Sequence, residues 1–150
     1  MFSTGYTVVE TMIALATVAV IALIAVPAYE RYRERIRIVQ AVNDIGAMSV
    51  AINQFLEDNR ELADSMDDMG LGGRLDPWRR PYQYQNLTTV KGKGAARKDG
   101  RLNPLNSDFD LYSVGKDGQT KLPLPPKVSH DDIIRARNGR FIGIAKDFDP

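Results

Sequence analysis

The chain of 150 residues contains no cysteine. Disulfide frameworks, thiolate metal sites and cysteine nucleophiles are excluded together. There is one histidine, His130, beside Asp131 and Asp132, and no nucleophile elbow or phosphate-binding glycine loop follows a strand pattern. A single imidazole without those partners does not make a catalytic constellation, so no enzyme is expected. Excess charge is missing as well: 20 Lys+Arg against 19 Asp+Glu leave a formal net charge of +1. A balance so near zero argues against a polyanion binder driven by bulk charge, and against a disordered tail. The length suits one domain able to bury a core.

Charge is scarcest at the start. Across residues 1–29 the only side chain charged at neutral pH is Glu10, and residues 12–26 are Ala, Val, Ile, Leu and Met broken by one Thr. With residues 6–9 before it and 27–29 behind, the segment is about 24 residues long, and a bilayer core needs roughly 20 helical residues. It reads as a transmembrane span with one carboxylate near its start. A cleaved secretory signal fits less well, because there is no basic n-region and the apolar run is too long, although Val26-Pro27-Ala28 suits a small-residue cut. A plain anchor and an anchor that doubles as an assembly surface are separated by Glu10. Inside a membrane segment an ionisable residue costs about 2.5–3.5 kcal/mol and calls for a partner, whereas at headgroup level it costs little.

Beyond Tyr29 the pattern stays helical. Ile38, Ala41, Val42, Ile45, Met48, Ile52, Phe55 and Leu56 recur at three-and-four spacing. Glu30 with Arg33, and Glu34 with Arg37, can pair at i, i+3, as a solvated face or as ion pairs between subunits. Pro27, between the halves, removes one helix hydrogen bond and favours a kink. The pattern fades after Asn59, and one helix over 6–59 would be about 80 Å long. Residues 61–75 read as a loop. In Asp76-Pro77-Trp78-Arg79-Arg80-Pro81-Tyr82-Gln83-Tyr84 the prolines mark a turn, Trp78 reads as packing, and Tyr82 and Tyr84 alternate as strand positions. A second strand puts Phe109, Leu111 and Ser113 on one face and Asp108, Asp110 and Tyr112 on the other, ending at the turn Gly115-Lys116-Asp117-Gly118. A third is expected over 139–144, entered through Asn138-Gly139. The class is α+β, a small antiparallel sheet packed on the second half of a long N-terminal helix. Between 90 and 106, Lys91, Lys93, Arg97, Lys98 and Arg101 accompany three glycines without interleaved aromatics. That argues against nucleic acid and for a solvated mobile loop.

Gly5-Tyr6-Thr7-Val8-Val9-Glu10, the apolar run and Pro27 together resemble the N-terminus of type IV pilins and type II secretion pseudopilins. The resemblance implies a prepilin leader over 1–5 that a prepilin peptidase removes between Gly5 and Tyr6, methylating the new amine. Glu10 then becomes the fifth mature residue and Pro27 the twenty-second. The leader lacks the family's usual Lys or Arg, and Tyr6 stands where Phe is favoured. The second half, Asp76-Pro77-Trp78 to Tyr84 and then Asp108 to Gly118, resembles the major pseudopilin of type II secretion.

The family implies a pilin-like fold: a filament-core helix over 6–29, its amphipathic second half over 30–60 and a globular body over 61–150. It also implies a single-pass inner-membrane subunit, N-terminus cytoplasmic and body periplasmic. Arg31, Arg33, Arg35 and Arg37 would reverse that orientation under the positive-inside rule. Copies would polymerise as a helical filament, a pseudopilus that drives protein secretion, with an inner-membrane assembly platform and minor pseudopilins as partners. Glu10 would meet the N-terminal amine of a neighbour, two charges costly alone in low dielectric and compensated as a pair. Calcium is implied through the Val114 carbonyl, Asp117 and Asp132, with Asp131 as a substitute ligand. Here Lys121-Leu122-Pro123-Leu124-Pro125-Pro126 replaces the family's glycine-rich connection. The simpler role for these aspartates is capping turns and helix starts. The alternatives are a type IV pilin for adhesion, motility or DNA uptake, and a monomeric membrane-anchored calcium-binding domain.

Overall fold

The computed structural model describes Gly5 and residues 7–90, 92 and 94–149. Tyr6, at the expected cut, and Lys91 and Lys93 of the basic loop lie outside the described residues. By internal contact the chain divides into two units, Met1–Ile36 and Arg37–Pro150.

Helix α1 (Val8–Asn59) is the one α-helix among the described residues, and Pro27 lies inside it. In the first unit its side chains face outward: Val8, Leu15, Leu23 and Ile24 are each at least two-thirds exposed. An 18-residue window of this helix reaches a mean hydropathy of 2.4 with none of it buried among the described residues. Beyond the apolar run, Arg31 Nε donates to the Pro27 carbonyl at 3.2 Å, and the Arg33 guanidinium lies 5.7 Å from the Tyr29 ring.

The second unit is built on the later turns of α1. Ala41, Ile45, Met48 and Ile52 are wholly buried, on one stripe at the spacing the sequence predicts. The helix stops at Arg60, whose φ of 62° is the left-handed turn that closes many helices, with its N–H donating to Leu56 O at 2.8 Å. Against the stripe packs a four-stranded antiparallel meander in the order β1 (Gln83–Asn86), β2 (Phe109–Ser113), β3 (Ile133–Ala136) and β4 (Phe141–Ile144). Phe109, Leu111 and Ile133 face the helix and join Ile45, Met48, Ile52, Leu62 and Leu71 in one core, with Trp78 packed at its margin. Truncating a wholly buried Ile to Ala in such a core costs roughly 2–5 kcal/mol.

Two sequence expectations change here. The sheet has a strand more than expected: Ile133-Ile134-Arg135-Ala136 is β3, and the expected strand over 139–144 is β4. All four residues of β3 are buried, so it lacks the polar alternation that marks a half-exposed strand. Ile133 faces the helix-side core, while Ile134 and Ala136 join Leu105, Leu124 and Ala145 in a second cluster. The basic loop, in turn, is not solvated throughout. Ala96, Arg97, Leu105 and Asn106 are buried. Residues 97 and 98 are tied by backbone bonds to Leu105, Leu122 and Leu124.

The first strand is pinned by two phenols. Tyr82 Oη donates to Asp44 Oδ2 at 2.9 Å, and Tyr84 Oη donates to the Ala63 carbonyl at 2.8 Å. Burial first, then nearby carboxylates, pushes both phenols up, Tyr84 to about 12. A phenol whose folded pKa lies above its unfolded value stabilises fully below the unfolded value, near 10, and loses that contribution as pH rises through the folded one. Urea unfolding of the full chain in detergent should therefore show stability falling between about pH 10 and pH 12. A Tyr82→Phe/Tyr84→Phe variant should fall less steeply, and an equal slope would contradict the assignment.

Candidate functional site

Two places carry the side chains singled out by the sequence, one in each unit. The first is the start of α1. Thr7 N–H and Thr7 Oγ1 both donate to Glu10 Oε2 at 2.8 Å, and the Glu10 N–H returns a bond to Thr7 Oγ1 at 3.2 Å. This is a reciprocal capping box, which satisfies orphan donors at the helix N-terminus. Sequence reasoning missed it, although Thr7-Val8-Val9-Glu10 spells the Thr-x-x-Glu signature plainly. Glu10 is thus held by its own chain on a surface of exposed Val9, Met12 and Ile13. Both donors converge on Oε2, and a carboxylate has roughly four lone-pair sites, so it retains capacity for a further donor.

The second place is the turn after β2. Asp76 is buried and organises its approach. Its Oδ1 accepts the N–H groups of Trp78 and Arg80 at 2.9 and 2.8 Å, and its Oδ2 accepts the Ser113 hydroxyl at 2.5 Å. That fold of the Asp76-Pro77-Trp78 turn aims Arg80 along the loop, where Nη1 donates to the Gly115 carbonyl at 2.6 Å and to the Lys116 carbonyl at 3.2 Å. Gly115 has a φ of +65°, and a Cβ there would come within 2.3 Å of the Asp131 carbonyl, so glycine is required on both counts.

The four residues implied as calcium ligands divide. Asp117 and Asp131 meet, the Asp117 N–H donating to Asp131 Oδ2 at 2.9 Å, while Asp117 Oδ1 accepts the Gln119 N–H at 2.8 Å. Val114 is buried at the head of the turn. Asp132, wholly buried, is turned to other partners. Its Oδ2 accepts Arg97 Nη2 and the Thr120 hydroxyl, each at 2.5 Å. Among the described residues no three His, Asp or Glu side chains converge to hold a metal ion. Burial pushes the Asp132 carboxyl up to about 6, against the opposing pull of Thr120 and Arg97. Asp110 is also raised by burial, opposed by the Arg97 N–H and by Asn106.

Compared with known proteins, the chain is 31% identical over 61 residues to a fimbrial protein of Pseudomonas aeruginosa, covering 41% of this chain and 40% of that one. It is 35% identical over 57 residues to the type IV major fimbrial protein FimA of Dichelobacter nodosus, covering 38% of this chain and 36% of that one. The chain thus spans about two fifths of the curated relatives it matches. No family model matches it, and no solved structure matches it.

Asp76 should be the most sensitive residue of the turn. Asp76→Ala removes a charged acceptor from three donors at a buried position and should cost roughly 2–4 kcal/mol in urea unfolding. A loss below about 0.5 kcal/mol, the scatter of surface substitutions, would contradict its organising role.

Proposed function

We propose that this chain is a pilin-like structural subunit that polymerises through the apolar half of α1. The observation that carries the reading is that half itself: a window long enough to span a bilayer, none of it buried, with one carboxylate at its start. The partial similarity to type IV fimbrial proteins supports the class. In the finer reading the subunit waits in the inner membrane with its body outside. A prepilin peptidase cuts between Gly5 and Tyr6 and methylates the new amine. An assembly platform then lifts the helix from lipid into a filament core, where Glu10 meets the neighbour's amine and fixes the step between helices that would otherwise slide.

Within the class, the reading as a type II secretion pseudopilin rests on the missing cysteines and on the Asp76-to-Tyr84 and Asp108-to-Gly118 blocks. In that role a short periplasmic filament, with minor pseudopilins as partners, pushes exported proteins outward. The fimbrial names of the relatives favour a second reading, a surface type IV pilus. Both readings make the chain a structural subunit without catalysis of its own.

The capping box allows a clean test of the charge. Glu10→Gln keeps a side chain that can close the box, while Glu10→Ala removes it. If the charge registers the filament, both variants insert in the membrane and both lose filament assembly, measured by shearing or by electron microscopy. If Glu10→Gln assembles as well as the unmodified chain, Glu10 is a cap and the ion-pair reading fails.

A further inference from the structure

The basic loop over 90–106 and the Leu-Pro stretch over 121–126, which replaces the glycine-rich connection of the family that the chain resembles, are separate in sequence. In the fold they are one structure. Lys98 N–H donates to Leu122 O at 3.1 Å, Leu124 N–H donates to Lys98 O at 2.9 Å, and Leu105 N–H donates to Arg97 O at 2.9 Å. Leu105 and Leu124 share the apolar cluster under β3. This pairing carries Arg97 inward until it is 2% exposed.

The buried guanidinium meets a carboxylate, a hydroxyl and an aromatic face, while its Nε is buried without a hydrogen-bond partner among the described residues. Nη2 donates to Asp132 Oδ2, Nη1 donates to the Thr120 hydroxyl at 2.9 Å, and the group lies 4.1 Å from the centre of the Tyr112 ring. Its own backbone N–H donates to Asp110 Oδ2 at 2.7 Å. Arg80 meanwhile holds the Gly115 and Lys116 carbonyls on the far side of the turn.

Calcium needs roughly six to eight oxygen ligands at about 2.3–2.6 Å. The implied set does not fit that need here. Asp132 points at a guanidinium, which repels a divalent ion, and the neighbouring loop carbonyls are taken by a second one. Asp132 Oδ1 is buried without a hydrogen-bond partner among the described residues, and one oxygen beside a fixed positive charge is not a divalent site.

We propose that Arg97 is the resident cation of this loop, taking the place of a divalent ion, so that Thr120, just beyond the turn, is held to Asp132 without calcium while Asp131 takes the Asp117 N–H. A buried guanidinium suits the task because it is always charged and offers several fixed donors. The basic loop and the Leu-Pro stretch are then two halves of one device, one bringing the cation and the other clamping the segment that carries it.

The test is a thermal melt of the full chain in detergent, with chelator and with millimolar calcium. The proposal expects the unmodified chain to melt within about 1 °C in both conditions, and Arg97→Met to melt lower by about 10 °C, because an unpaired charge is left buried. Should Arg97→Met fail to fold, the calcium arm on the unmodified chain still decides. A calcium-dependent rise of several degrees in the unmodified chain would overturn the proposal, as would an Arg97→Met variant that melts with it.

Discussion

The apolar first half of α1 is a surface that nothing among the described residues covers. Burying each Val, Leu or Ile of that half gains roughly 1.5–3 kcal/mol, so together they require an apolar environment from outside the chain. Lipid provides one such environment and the same segment of other copies provides another. The two differ in what they ask of Glu10. In lipid near the headgroups it is tolerated alone, while in a packed helical core it needs a cationic partner. The capping box sharpens this point, since it holds the carboxylate at a defined place on the helix without exhausting its capacity to accept.

The later half of the same helix has the opposite character. Its stripe from Ala41 to Ile52 is buried under a sheet whose two faces are made of different materials. The helix side is apolar, with Arg135 lying 3.9 Å from the Phe109 ring and paired to Asp108 at 2.7 Å at its edge. The other side mixes a small apolar cluster with Arg97, Asp110 and Asp132, all buried. Such charges stabilise little in net terms against an apolar packing, but removing one partner is costly. They fix which loop lies on which strand, and so where the turn after β2 sits.

Much of this was legible from residues alone. The helix to Asn59, the Phe109-Leu111-Ser113 face and the packing role of Trp78 follow from periodicity and turn chemistry. Asp110 was assigned to the face of β2 opposite Phe109, Leu111 and Ser113, correctly by alternation, but that face is buried because the basic loop covers it. Strand β3 was missed for the same reason, since a strand covered on both sides loses its polar half. The loop itself misled because its charges suggest solvent, and nothing local in the sequence tells Arg97 from Lys98. Only the distant Leu122-Pro123-Leu124 segment distinguishes them, by pairing with the chain at that point. Glu10 shows the reverse error: its signal was local and clear, and the long-range role drew attention away from the four-residue cap.

The central claim is that copies of this chain cover one another's apolar helices. The absence of native cysteine makes that directly measurable. Pairs of cysteines introduced at successive positions within residues 13–24 can be oxidised in membranes and the products separated by size. The account predicts, for at least some pairs, a ladder that extends beyond the dimer and that collapses when Glu10 is replaced by Gln. Monomers alone at every pair, from chains that are normally inserted, would contradict it.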